Sequence, residues 1–305
     1  MPGKYLVIPG DLAGVGPELL LRCGQEGCLP AGHYALAGPK DWLATLSGDW
    51  LDGMECWPVP TAGGCASPGE PDSRSARQAM DVLEWAARAC REGDFRGLVT
   101  GPICKDTMVQ EGFAFPGQTE FLAEAWSGEP SMAFWGESLR VVLATWHIPL
   151  SSVPSALTPE VLTRAVERAF LLAGKFAPEA PTVAVCGLNP HAGEKGLLGV
   201  EEKDWIEPCV RELAKRLPGL DPEPQPADTL FWRACQGWPQ VVVALYHDQG
   251  LAPLKTVDFN TSCQVTLGLS HPRTSPDHGT AFGLAGKGIA HPGSFQKALE
   301  TIQKF

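Results

Sequence analysis

Short apolar runs alternate with stretches whose apolar residues recur every three or four positions, which predicts strands separated by helices. Tyr5–Pro9 (YLVIP) is a compact apolar run ending at Gly10. Gly14 and Gly16 follow, then Pro17-Glu18 and LLLRC, the pattern of a strand, a glycine-rich turn and a helix with proline in its first position. From Arg74 to Glu92, Ala76, Met80, Leu83, Ala87 and Cys90 fall on one helical face. GLVT at 97–100, LRVVLAT at 139–145, TVAVC at 182–186 and VVVALY at 241–246 read as further buried strands. Thr158-Pro159-Glu160 starts a helix that ends near Gly174, with a threonine cap and an acid at the positive end of the dipole. A helical segment covers 201–216, with Pro208 as a kink or a second start. Residues 49–72, rich in proline and glycine, read as irregular surface. Strands alternating with helices predict an α/β protein with a mostly parallel sheet, and no internal repeat is present.

Composition narrows the partners. A chain of 305 residues suggests about two domains. With 44% hydrophobic and 19% charged residues it is an ordinary globular chain. A formal net charge of -11 argues against nucleic acid, whose phosphates need clustered lysine and arginine. A few basic residues in a pocket still suffice for an anionic small molecule. The apolar runs fall far below the roughly 20 residues of a spanning helix, and no signal peptide precedes YLVIPGD, so a cytoplasmic protein without a membrane partner is expected. The ten cysteines form no C-x-x-C pair, and reduced thiols are expected.

The candidate chemistry is positional. His147 follows VVLAT, His191 follows TVAVCGLN, and His247 follows VVVALY. Parallel α/β sheets place ligands at the carboxyl ends of their strands. Three imidazoles at three such ends point to a divalent metal, with coordination positions left for substrate. Each histidine taken singly is an ordinary loop residue. Asp248 and Gln249 follow His247, and Asn189 and Glu194 flank His191. Asp248 can orient an imidazole, contact a charged substrate, or make only local hydrogen bonds. No H-E-x-x-H is present, so a helix-borne metalloprotease site is unsupported.

Gly10–Glu18 (GDLAGVGPE) is no dinucleotide fingerprint, because Leu19 stands where the third glycine belongs. Lys105, Lys255 and Arg273 lie in loop-like contexts and can bind phosphate or carboxylate. Asp277-His278-Gly279-Thr280 leads into AFGLAGKG, whose small residues admit close backbone approach to a flat ligand.

Several long strings resemble the 4-hydroxythreonine-4-phosphate dehydrogenase family of vitamin B6 biosynthesis. They are GDLAGVGPE, VTGPICK, FPGQTEFLAE, GESLRVVLATWHIPL, VAVCGLNPHAGEKGLLGVEE, PADTLF, YHDQGLAPLK and RTSPDHGTAFGLAGKG, together spanning nearly the whole chain. The resemblance implies the isocitrate/isopropylmalate dehydrogenase-like fold, two α/β/α domains flanking a cleft. The first would join 1–125 to 270–305. The second, 126–269, would carry the metal histidines and a homodimer interface. By the same resemblance His147, His191 and His247 would hold one divalent ion (Zn, Mg, Mn or Co). Gln118, Thr119, Lys255, Gln264, Arg273 and Asp228 would bind substrate, and Asp248 and Lys255 would take part in catalysis. His278, Gly279, Thr280 and Gly283 would bind NAD or NADP. The implied reaction is oxidation of a small phosphorylated hydroxy acid, 4-phosphohydroxy-L-threonine, with loss of carbon dioxide to leave an amino-ketone phosphate.

Four positions depart from the family pattern. Gln118 replaces a substrate-contacting histidine, Gln264 an asparagine, Cys104 an asparagine, and Gly283 an acid that can contact the adenosine ribose. Gln118 also removes a titratable group. The changes fall at substrate and cofactor positions while the histidines are intact. They leave open a dehydrogenase of 4-phosphothreonate or 4-phosphoerythronate, a non-catalytic binding relative, and a metal-assisted hydrolase.

Overall fold

The computed structural model describes residues 3–61 and 63–305. Among them the chain forms β1 (Tyr5–Ile8), β2 (Tyr34–Pro39), β3 (Glu55–Val59), β4 (Gly97–Thr100), β5 (Ser131–Trp135), β6 (Arg140–Leu143), β7 (Val183–Val185), β8 (Val241–Ala244), β9 (Cys263–Leu267) and β10 (Arg273–Pro276). It divides into two units, Met1–Pro130 with Cys263–Phe305, and Ser131–Ser262.

In the first unit the strands run in the order β3-β2-β1-β4-β10-β9. Only β9 against β10 is antiparallel, in a register that sets Arg273 opposite Thr266 and Ser275 opposite Gln264. That pairing explains why the boundary falls at 262/263 rather than at the expected 269/270: β9 is joined to β10 of the first unit along four residue pairs. The helix Ser73–Glu92 lays Ala76, Ala79, Leu83, Ala86 and Cys90 on the sheet. Its ends are coded locally. Asp72 accepts from the Ser75 backbone N–H at 2.8 Å while Ser75 Oγ accepts from Asp72 N, and Gly93 closes the helix at φ 89°. Small residues on this face let the backbone approach the sheet; Met80, expected in the core, is only partly buried.

In the second unit the order is β5-β6-β8-β7, with β5/β6 antiparallel and β6/β8/β7 parallel. Leu139, Val141, Leu143, Ala184, Val242 and Ala244 pack with Leu230 and Phe231 of helix Ala227–Cys235 and Leu251 and Leu254 of helix His247–Val257. Helix Pro159–Phe176 also packs on these strands, and Thr158 caps it by accepting from Val161 N.

Several expectations change. Residues 49–72 are not all irregular: β3 pairs parallel with β2, and its Pro58 is tolerated because the strand lies at the sheet edge. Ala62 of that stretch lies outside the described residues. The strand pairing is mostly parallel, as expected, with β5/β6 and β9/β10 as the antiparallel exceptions. Pro208 marks a second start, where a π-helical turn (Glu202–Ile206) passes into helix Glu207–Arg216. Lys105 opens a short helix, Lys255 lies within helix His247–Val257, and Arg273 begins β10, so none of the three is a loop residue. The described cysteines are free, with Cys23, Cys90, Cys186 and Cys263 buried. Among the described residues no helix is long and apolar enough to cross a membrane.

Candidate functional site

In the second unit the parallel strands β6, β8 and β7 end side by side, and side chains brace their ends. Thr145 Oγ1 donates to Leu245 O at 2.7 Å, tying the end of β6 to that of β8. Gln249 accepts from Leu245 N at 2.7 Å and donates to Gly187 O at 2.8 Å, tying β8 to β7. His147 and His247 stand just beyond these braces with ring centroids 5.6 Å apart. His147 takes the left-handed region at φ 49°, a strained choice that clusters at functional positions, whereas His247 opens its helix. His247 Nδ1 lies 2.7 Å from Asp248 Oδ1, which holds the ring and leaves Nε2 as its outward donor. The two histidines and Asp248 line a pocket of about 260 Å³, walled by Trp146, Ile148 and Tyr246.

His191 lies elsewhere. It lines a larger open pocket of about 950 Å³ with Glu194, Lys195, Glu202 and Arg211. Residues from His191 to Lys195 are all left-handed, with φ between 42° and 76°. Such a turn costs roughly 1–2 kcal/mol per non-glycine residue and persists only where its surroundings impose it. The buried carboxylate of Glu202 supplies one restraint, accepting from Asn189 N at 2.7 Å and Asn189 Nδ2 at 2.9 Å. Gly187 supplies another, since a Cβ there would sit 2.7 Å from Ala192 Cα. Among the described residues no three histidine, cysteine, aspartate or glutamate side chains stand close enough to hold a metal. His147 and His247 fit a shared divalent ion as two imidazole donors, and His191 does not join them here.

In the first unit Arg273 is fully buried and makes no ion pair with any described residue. Neutral oxygens surround its guanidinium. Thr100 Oγ1 accepts from Nε at 3.1 Å and Nη2 at 2.8 Å, Gln264 Oε1 from Nη1 at 2.6 Å, and Thr266 Oγ1 from Nη1 at 3.1 Å. Thr119 and Gln118 are held more loosely, both at 3.4 Å. Gln118 also donates to Gly101 O at 3.0 Å, and Gln264 accepts from Ser275 at 2.9 Å. Burial pushes the guanidinium down to about 10, partly offset by the charge of Glu120, so it is still a cation at neutral pH. A buried cation without a direct ion pair is costly and is suited to an anionic ligand. The two long contacts mark the partners a ligand displaces most easily.

Lys255 is half-buried over the Phe259 ring at 5.3 Å, and Asp228 is exposed in the first turn of its helix; neither lines the pocket of His147 and His247. His278 Nδ1 lies 2.9 Å from Gly279 O, while its buried Nε2 has no hydrogen-bond partner among the described residues. A Cβ at Gly279 or Gly283 would meet open space, and Thr280 O accepts from Val15 N at 2.9 Å. An orphaned imidazole nitrogen beside unfilled glycine surface fits a nucleotide with polar and flat portions. The sequence pattern missed Thr100, Thr266 and Glu202. Thr266 had a signal, since it lies two residues from Gln264 on the same strand face.

A family model described as pyridoxal phosphate biosynthetic protein PdxA matches residues 41–302. The chain is 40% identical to a 4-hydroxythreonine-4-phosphate dehydrogenase of Ruegeria sp. (strain TM1040), over 96% of this chain and 94% of that one. A crystal structure of 4-hydroxythreonine-4-phosphate dehydrogenase from Klebsiella pneumoniae superposes with a TM-score of 0.83 at 29% identity, over 99% of this chain and 98% of that one. Isocitrate dehydrogenase from Methylococcus capsulatus shares the fold alone, with a TM-score of 0.51 at 16% identity, over 99% of this chain and 85% of that one.

Proposed function

The chain belongs to the family of the pyridoxal phosphate biosynthetic protein PdxA, and from that premise we propose that it oxidises 4-phosphohydroxy-L-threonine with NAD or NADP and a divalent metal ion. It is an oxidoreductase acting on a CH–OH group. The carbon-bound hydrogen leaves as hydride and the hydroxyl proton is lost to give a β-keto acid; its carboxylate departs as carbon dioxide, and the carbon it leaves takes up a proton to give an amino-ketone phosphate. A bound divalent ion supplies Lewis acidity at the hydroxyl oxygen, and a bound nicotinamide accepts the hydride.

Arg273 carries the reading. A fully buried guanidinium whose hydrogen-bond partners among the described residues are all neutral supports an anionic group of the substrate as its partner, with Gln118, Thr119 and Gln264 beside it. His147 and His247 are the paired donors for the ion, and His191, which lines a separate pocket, is assigned as the third by the family pattern. Asp248 fixes the His247 ring, and Lys255 and Asp228 are assigned to charged groups of the substrate. His278, Gly279, Thr280 and Gly283 are assigned to the cofactor, supported by His278 Nε2, which has no partner among the described residues. A homodimer belongs to the proposal. Exposed Leu150, Trp232 and Phe259 offer it apolar surface, and sedimentation measures it.

Gln118 favours a second substrate. It cannot titrate, and its Nε2 is committed to Gly101 O, so the sugar acids 4-phosphothreonate and 4-phosphoerythronate, which lack an amino group, are the competing substrates. Formation of reduced nicotinamide with each of the three acids decides between them. Turnover on 4-phosphohydroxy-L-threonine supports the first reading. Turnover on the other two alone transfers the enzyme to sugar-acid oxidation, and binding without turnover leaves a non-catalytic relative.

A further inference from the structure

The segment 281–288 needs an anchor. It carries Gly283, Gly286 and Gly288, most of it is exposed, and Ala281, Gly286 and Gly288 are left-handed at φ 45°, 75° and 66°. Glycine-rich exposed backbone loses much entropy on ordering and opens locally at low cost. Internal hydrogen bonds close only short turns, such as Leu284 N to Ala281 O at 2.8 Å.

Glu18 supplies a fixed point. It lies in the first turn of helix Gly16–Gln25, where an acid normally faces its own helix dipole. Its Oε2 instead accepts from Gly286 N at 2.7 Å and sits 3.5 Å from Gly288 N. The other oxygen, Oε1, is buried with no hydrogen-bond partner among the described residues. The same turn grips the start of the segment, because Val15 N donates to Thr280 O. Gly286 approaches Pro68 so closely that a Cβ would lie 2.7 Å from the proline Cβ, so the backbone presented to Glu18 tolerates little displacement.

We propose that Glu18 is a positioning residue for the cofactor loop: its carboxylate holds the amides of Gly286 and Gly288 and thereby sets the conformation in which residues 278–283 meet the nicotinamide nucleotide. This rests on the assignment of that loop to the cofactor. The bond to Gly286 is charge-assisted, so its loss loosens the loop by about tenfold in its opening equilibrium. The Glu18→Gln side chain would still offer a carbonyl oxygen to the same amides, at lower strength.

The test uses the full chain, with wild type, Glu18→Ala and Glu18→Gln compared by amide hydrogen exchange and by titration with NAD and NADP. The expected result for Glu18→Ala is about tenfold faster exchange at Gly286 and Gly288 and about tenfold weaker nucleotide binding. The KM for the nucleotide rises while kcat at saturation changes little, and Glu18→Gln falls between the two. Unchanged exchange in Glu18→Ala overturns the proposal, as does faster exchange with unaltered nucleotide affinity. Wild-type protein that binds neither nucleotide refutes the cofactor assignment separately, and the exchange rates then still decide whether Glu18 anchors the loop.

Discussion

Thr100→Val removes one oxygen from the first unit and almost nothing else. Thr100 is fully buried, and its hydroxyl accepts two hydrogen bonds from Arg273, at 3.1 Å from Nε and 2.8 Å from Nη2. Valine fills the same space without an acceptor, so Nε loses its partner and Nη2 keeps only Gln118 Oε1 at 3.4 Å. An unsatisfied buried donor costs about 1–3 kcal/mol, and more when charged, so the variant loses about 2–4 kcal/mol. Thr266→Val is the internal control. It also removes a contact to Arg273, at 3.1 Å, but Nη1 retains Gln264 Oε1 at 2.6 Å. Its expected cost is about 0.5–1.5 kcal/mol. Urea unfolding in phosphate-free buffer at neutral pH measures both, as a shift in midpoint at constant slope. A Thr100→Val protein within about 0.5 kcal/mol of wild type, or less impaired than Thr266→Val, would refute the description of Arg273 as a buried cation held by specific neutral acceptors.

Other expectations follow from single contacts. Gly101→Ala places a Cβ 2.0 Å from Pro9 O, so circular dichroism and solubility should show loss of the folded first unit; Gly174→Ala, whose Cβ meets open space within a helix, should instead stabilise by about 0.5–1 kcal/mol. Burial against Trp126 holds the His271 imidazole below its usual range. The unfolded chain therefore takes up a proton before the folded one, and wild-type stability falls as pH drops through the ordinary histidine range. His271→Phe should flatten that decline in melting temperature between neutral pH and about pH 5, and an equally steep decline would exclude His271 as its source. Bound metal measured by elemental analysis should fall to background in His147→Ala, His247→Ala and His191→Ala; wild-type content in the last would remove His191 from the ligand set.

Much of this molecule is legible in its sequence because the relevant signals are local. The Asp72–Ser75 box, the Gly93 stop, the Thr158 cap and the apolar runs of β1, β4 and β8 each declare themselves within a few residues. The three histidines are legible as strand-end residues for the same reason. What the sequence hides is long-range. The edge strand β3 looks like loop because Pro58 and exposed residues disguise it. The place of β9 in the first unit depends on its antiparallel partner β10. Arg273 reads as a loop residue until β9, β10 and Thr100 are brought together around it. The separation of His191 from the other two histidines arises from its left-handed turn, which no spacing rule anticipates. Glu18 meets Gly286 across 268 residues, beyond the reach of any local pattern.

The most direct measurement of the central claim is the stoichiometry of reduced nicotinamide and carbon dioxide formed from 4-phosphohydroxy-L-threonine, using purified protein supplied in turn with Zn, Mg, Mn or Co and with NAD or NADP. The account predicts equal amounts of the two products, an absolute requirement for the divalent ion, and loss of turnover in Arg273→Met. Failure to reduce either nucleotide with this acid, 4-phosphothreonate or 4-phosphoerythronate, under any of these ions, would contradict it.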